Sequence, residues 1–244
     1  MKLRSAEWSS ESIGTDPPAF GSFVTLNGAY SFNGFTADHG RRAYAVTPVL
    51  PAFLLEEPYD EEAADGTNVN PHATQPVRRF QWWGWLGTIG GYIAGNGFVW
   101  PFSGDAWRAH LDTQGARDMA RMNAFIRSIA WHQLVPSGLA GMRELVTRGG
   151  STVRAPDYVA AAAAPDGSLL VAYTPPDASD GFDVDLRAMR GTIRGRWFDP
   201  AGGTYRPIDA VLPTTGPHTF TTPGANVSGA RDWVLVLDTA SGLR

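Results

Sequence analysis

The feature that most constrains this chain is a change of hydrophobic pattern near Pro136. Upstream, apolar segments of strand length alternate with helix-length segments. Downstream, short strands recur between turn signals. Phe23 to Tyr30 is β-rich and reads as a buried strand, followed by a short helix around Arg41 to Val46. Val49 to Leu55 is nearly all apolar, as expected of a parallel strand covered on both faces, and runs straight into Glu56-Glu57-Pro58-Tyr59-Asp60-Glu61-Glu62. Pro76 to Leu86 reads as a helix with proline in its first turn, where a missing N–H is tolerated. Gly91 to Trp100 reads as a third strand with a glycine-lined exit. Gly115 to Leu134 reads as a long helix with Met119, Met122, Phe125, Ile126 and Ile129 on one stripe. Strand and helix in alternation imply a parallel α/β layer or barrel.

The second half reads differently. Tyr158 to Ala163, Leu169 to Thr174, Phe182 to Leu186, Thr192 to Phe198 and Trp233 to Leu237 are strand candidates, and the alanine run Ala160 to Ala164 has the length of a strand. Pro165-Asp166-Gly167-Ser168 between two apolar runs is a hairpin turn, because Pro presets φ and Gly accepts positive φ. The expected fold class is therefore α/β plus all-β, with residues 1–141 in the first domain and a β-sandwich over 142–244. Residues 1–20 show no clear periodicity and specify nothing by themselves.

Composition narrows the function. At 244 residues with 43% apolar content the chain can bury a sizeable core. A net charge of -4, 18% charged residues and no block of like charges argue against nucleic acid and against a polybasic membrane surface. No apolar run has membrane-spanning length, and the first ten residues hold no leader-like apolar stretch. Without cysteine there is no disulfide framework, thiolate ligand or thiol nucleophile. His39, His72, His110, His132 and His218 lack zinc-motif spacing, so neither metal nor cofactor is expected. The Gly87 to Gly97 stretch opens no phosphate-binding motif, and no GxSxG elbow occurs. The expected partner is neutral or weakly polar.

The strongest local candidate is Glu56, a carboxylate where an apolar strand stops. In a barrel such strand ends build the active face. The chemistry that wants it there is glycoside hydrolysis, in which one carboxylate attacks the anomeric carbon and a second, about 5 Å away, protonates the leaving oxygen. A solvated acidic loop is the competing reading of the same residues. Asn27 and Tyr30, near the end of the first strand, are candidates to line a sugar subsite, with core packing as the alternative. Trp100 is the candidate to face a sugar ring, whereas Trp82, Trp83 and Trp85 should pack inside. Arg78 and Arg79 are read as orienting Glu56 or substrate, or as surface ion pairs. Asp183 and Asp185 are expected to face solvent.

Several stretches together resemble the apiosidase-like glycoside hydrolases, which join a (β/α)8 barrel to a β-sandwich labelled collagen-binding. A proline, four residues, the catalytic glutamate, then Tyr and an acidic residue are matched by Pro51, Glu56, Tyr59 and Asp60. The next block matches Arg78, Arg79, Trp82, Trp83, Gly91, Gly95, Asn96 and Trp100. The sandwich signature matches Trp197-Phe198-Asp199-Pro200, with its hairpin at Ala164 to Ser168. Tyr92 and Ala94 depart from the histidine and tyrosine common in the family.

The resemblance implies a retaining hydrolase acting on polysaccharide side chains, with Glu56 as nucleophile. The substrate contacts it implies are Asn27, Tyr30, Tyr59, Arg78, Tyr92, Asn96 and Trp100. It also implies that only the last three β/α units of the barrel are present. The chain is thus expected to be a fragment lacking its acid/base and needing a missing N-terminal segment or a second chain to cover its strand edges. Asp38 and Asp105 are other acids that could approach Glu56. Secretion or a periplasmic location is expected by family alone. The alternative is a non-catalytic carbohydrate-binding or structural module.

Overall fold

The computed structural model describes residues 2–7, 9–17, 20–31, 36–56, 58–61, 74–213 and 215–239. The chain divides into two compact units, Met1–Met119 and Ala120–Arg244.

The first unit contains β1 (Ser12–Ile13), β2 (Asn27–Tyr30), α1 (Thr36–Tyr44), β3 (Ala52–Glu56), α2 (Thr74–Thr88) and β4 (Ile89–Tyr92), followed by a 3₁₀ turn over Ala106–His110 and the start of α3 (Gln114–Arg127). The sheet order is β1-β2-β3-β4. The strands β2, β3 and β4 run parallel, with α1 and α2 in the crossovers. Helix α1 begins five residues earlier than the sequence suggests. Its buried residues, Thr36, Ala37, His39, Gly40 and Ala43, include no large apolar side chain, so the hydrophobic signal is faint. Gly40 and Gly87 let α1 and α2 approach closely: a Cβ on Gly87 would lie 3.2 Å from the Arg41 amide nitrogen.

Helix α2 meets β3 just as tightly. Leu54 is fully buried, and a Cβ on Gly84 would sit 2.5 Å from its Cδ2. Trp82, Trp83 and Trp85 are all buried, with the Trp82 and Trp85 rings edge to face at 5.7 Å, as the packing expectation required. Strand β4 is much shorter than the expected Gly91 to Trp100. Ile93 N still donates to Leu54 O at 2.9 Å, and beyond it the chain leaves the sheet except for a bridge between Asn96 and Asp60.

The lead-in, unreadable from sequence, covers one edge of this sheet. β1 pairs antiparallel with β2, Gly14 N donates to Gly28 O at 2.8 Å, and Thr25 N and Leu26 N donate to Arg4 O at 2.8 and 3.0 Å. The β2 edge is therefore paired rather than bare, which corrects the expectation of exposed edges on that side.

The second unit continues α3, a helix shorter than the expected Gly115 to Leu134, through a 3₁₀ turn at Trp131–Gln133. Its strands are β5 (Val135–Pro136), β6 (Val146–Arg148), β7 (Ala160–Ala163), β8 (Leu169–Thr174), β9 (Gly181–Asp185), β10 (Arg194–Phe198), β11 (Tyr205–Ile208), β12 (Pro217–Thr221) and β13 (Trp233–Asp238). They form a six-stranded sheet, β11-β10-β13-β8-β7-β5, and a three-stranded sheet, β12-β9-β6. Leu170, Ala172, Trp197, Leu235 and Leu237 of the larger sheet share one core with Phe182, Val184 and Phe220 of the smaller. The alternate residues Val171, Tyr173, Val234 and Val236 are buried as well, and Phe125 of α3 lies 4.8 Å from Phe198. Burial on both faces explains why β8 and β13 read as continuous apolar runs.

Local chemistry accounts for the turns. Gly167 adopts φ +76°, its N–H donates to Ala164 O at 2.9 Å, and Ser168 N donates to the Asp166 carboxylate at 2.9 Å, closing the β7–β8 hairpin as the sequence predicts. Asp199 accepts from the amides of Ala201, Gly202 and Val227, which is the structural reason for an acid in Trp-Phe-Asp-Pro. Asp185 corrects an expectation. It is buried rather than solvent-facing, paired with Arg187 and Arg143, and these bonds, Arg187 foremost, hold its carboxyl down at about 2. Asp183 is ion-paired with Arg148 at 2.7 Å.

Candidate active site

Glu56 is the last residue of β3, half-buried, at the carboxyl end of a parallel strand. A register shift after Ala29 aligns Tyr30 with Glu56 across β2 and β3. The Tyr59 hydroxyl donates to Glu56 Oε1. The Tyr59 ring needs the glycine at the β4 exit, because a Cβ on Gly95 would fall 2.3 Å from its Cδ1 and Cε1 atoms. Tyr30, Glu56 and Tyr59 are thus brought together.

A residue that sequence reasoning missed completes the cluster. The Glu7 carboxyl hydrogen-bonds Glu56, and its pKa is raised, first by that bond, then by burial and by the Glu56 charge. A neighbouring carboxylate makes the charged form of Glu7 costlier. Glu7 lies in the aperiodic lead-in, where nothing but its being a carboxylate could have marked it.

Other candidates have structural partners. Asn27 is buried and donates Nδ2 to Ala43 O at 3.0 Å and to Thr15 Oγ1 at 3.2 Å. Arg78 is completely buried in an ion pair with Asp118, which also accepts from Gln114 Nε2 at 2.6 Å; it is neither a surface pair nor at Glu56. Tyr92 donates its hydroxyl to Met119 O at 3.1 Å, and burial pushes its pKa up to about 12. Asp105 pairs with Arg108 at the surface.

Asn96 and Trp100 belong to a second cluster. They line a cavity of about 380 Å³ together with Asp60, His110, Thr113 and apolar residues including Val99 and Met119. Asp60 is buried and accepts from Thr113 Oγ1 at 2.6 Å, and desolvation raises its pKa. Glu61 accepts from Asn96 Nδ2 at 2.9 Å and lies 2.7 Å from His110 Nδ1. Among the described residues no group of three His, Asp or Glu could hold a metal ion, and no helix is long and apolar enough to cross a membrane.

Residues 23–133 match the family model "Apiosidase-like, catalytic domain". Residues 146–238 match a second family model, "Putative collagen-binding domain of a collagenase". One solved structure, titled a glycoside hydrolase, superposes with TM-score 0.75 at 16% identity, covering 95% of this chain and 56% of its own. A glycoside hydrolase family 5 structure from Bacteroides vulgatus gives TM-score 0.77 at 15% identity, covering 95% of this chain and 54% of its own. The chain therefore spans little more than half the length of these structures, whose fold it shares. No curated protein matches it.

Proposed function

We propose that this chain is the C-terminal part of a retaining apiosidase-like glycoside hydrolase, comprising the last three β/α units of its barrel and a β-sandwich, acting on polysaccharide side chains. The observation that carries the reading is Glu56 at the carboxyl end of β3 with the Tyr59 hydroxyl on its Oε1. In this reading Glu56 attacks the anomeric carbon, Tyr59 holds its carboxylate, and the proton for the leaving oxygen comes from a missing N-terminal segment or from a second chain.

The two roles separate by leaving group. An activated aryl apioside or arabinoside departs without protonation, so the chain alone should cleave dinitrophenyl glycosides while barely releasing reducing sugar from natural linkages. Glu56→Gln should lower the aryl glycoside rate by about 10²-fold or more. A rate unchanged by that substitution would show that Glu56 is not the nucleophile.

A further inference from the structure

The all-β unit, which supplies no residue to the proposed reaction, holds a cavity of about 330 Å³ lined by Arg143, Arg187 and Arg190. Met142, Ala164 and Pro165 are among its apolar walls, and its lining contains no acidic residue. We propose that this cavity binds the carboxylate of an acidic sugar, one uronic acid unit of a polysaccharide, on its guanidinium groups.

The three arginines are held in place by two different devices. Asp185, buried at the end of β9, accepts from Arg143 Nη1 at 3.0 Å and from Arg187 Nε and Nη2 at 2.9 and 2.8 Å. It also accepts from the Arg187 amide at 3.0 Å, at the start of the 3₁₀ turn Leu186–Ala188. One acid thus anchors two guanidinium groups and neutralises the charge of only one. Arg190 is set by the β7–β8 hairpin. Its amide donates to Gly167 O at 3.0 Å, and a Cβ on Gly167 would lie 2.6 Å from Arg190 Cγ, so the stem of the arginine packs where a larger residue would collide. Among the described residues no carboxylate pairs with Arg190. Three positive groups therefore share one negative group, and the surplus is cationic.

A cationic surplus lining a concavity selects an anion. Guanidinium forks match carboxylate and phosphate alike through parallel N–H···O bonds. Anchoring on Asp185 and on the hairpin lowers the ordering cost of binding. The apolar wall then decides between the two anions. The volume lies at the lower end of the roughly 300–1,000 Å³ of small-molecule sites, room for one sugar ring whose C–H groups cover Met142, Ala164 and Pro165. Phosphate or acetate would leave that apolar surface wet. That a sugar carries the carboxylate rests on the glycoside hydrolase reading, whereas the demand for an anion does not.

Calorimetric titration of the whole chain with D-galacturonate and D-glucuronate tests this, with D-galactose and D-glucose as neutral counterparts and phosphate and acetate as bare anions. At least one uronate should bind saturably at millimolar concentration, about tenfold tighter than its neutral counterpart and than either bare anion, and more weakly as salt is raised. Arg190→Gln should weaken binding about tenfold with an unchanged denaturant midpoint, because glutamine keeps the stem over Gly167. Glu56→Gln should bind as the parent chain does, so the aryl glycoside rate reports on the hydrolase reading alone. No saturable uronate binding up to about 50 mM would overturn the proposal. So would a neutral sugar or a bare anion binding as tightly as the uronates, affinity unchanged in Arg190→Gln, or affinity lost in Glu56→Gln.

Discussion

In the second unit, Asp232 accepts from Tyr173 and Asn226, Asp199 gathers backbone amides, and buried Asp238 is ion-paired with Arg194 and Arg196 at 3.0 and 2.9 Å, although neither contact is aligned as a hydrogen bond. The first unit contrasts with this. Asn27 Oδ1, Ser31 Oγ, Thr36 Oγ1, Asp60 Oδ1 and both polar side-chain atoms of Gln81 are buried with no partner among the described residues. Native interiors leave few such groups, and those they leave tend to mark sites of function or ordered water. Among the described residues the α/β unit thus keeps unmatched polar atoms on several separate side chains, whereas those of the all-β unit belong to one ion pair, Arg196 with Asp238.

Three experiments probe this contrast, the largest effect first. Trp197, in the core shared by the two β-sheets, is buried against Phe182 with ring centroids 6.2 Å apart. Trp197→Ala should cost about 3–5 kcal/mol, read as a lower denaturant midpoint. A cost below about 1 kcal/mol would mean that the all-β core is loosely packed. In the α/β unit, Gly84→Ala places a methyl against Leu54 and should cost about 1–3 kcal/mol by overpacking. Stabilisation instead would show slack between α2 and β3.

The smallest effect, on the order of 1 kcal/mol, has opposite signs in the two units. Asp185 has a lowered pKa, so the stability it contributes is complete above about pH 4 and is lost as pH falls toward 2. Asp60 has a raised pKa, so its contribution is present below the ordinary carboxylate value and is lost as pH rises through the raised one. Stability measured against pH for Asp185→Asn and Asp60→Asn should flatten opposite limbs of the profile. If both variants alter the same limb, the contrast between the units fails.

Much of the architecture was legible in the sequence because its signals are local. The run Val49 to Leu55 announced β3, and Pro165-Asp166-Gly167-Ser168 announced its hairpin. Strands β11 and β12 were not legible. Their burial patterns are mostly exposed, so they carry little apolar alternation and are held by pairing with β10 and β9. Asp185 was misread because alternation in a strand says which residues share a face, whereas burial depended on Arg143, 42 positions away. The candidate site was half legible: Glu56 and Tyr59 are three residues apart, but Arg78 and Tyr92 were assigned to substrate and the structure gives them Asp118 and Met119 as partners.

The alternation of β2, β3 and β4 with helices, the hairpin chemistry and the strand-end position of Glu56 followed from the sequence, since each depends on periodicity or φ preferences within a few residues. The contact between Glu7 and Glu56, the buried pair of Arg78 with Asp118 and the cavity that gathers Asp60, Trp100 and His110 were decided by the tertiary structure. Each joins residues tens of positions apart, and their meeting depends on strand register, on glycines that allow close approach, and on the lead-in segment folding back along β2.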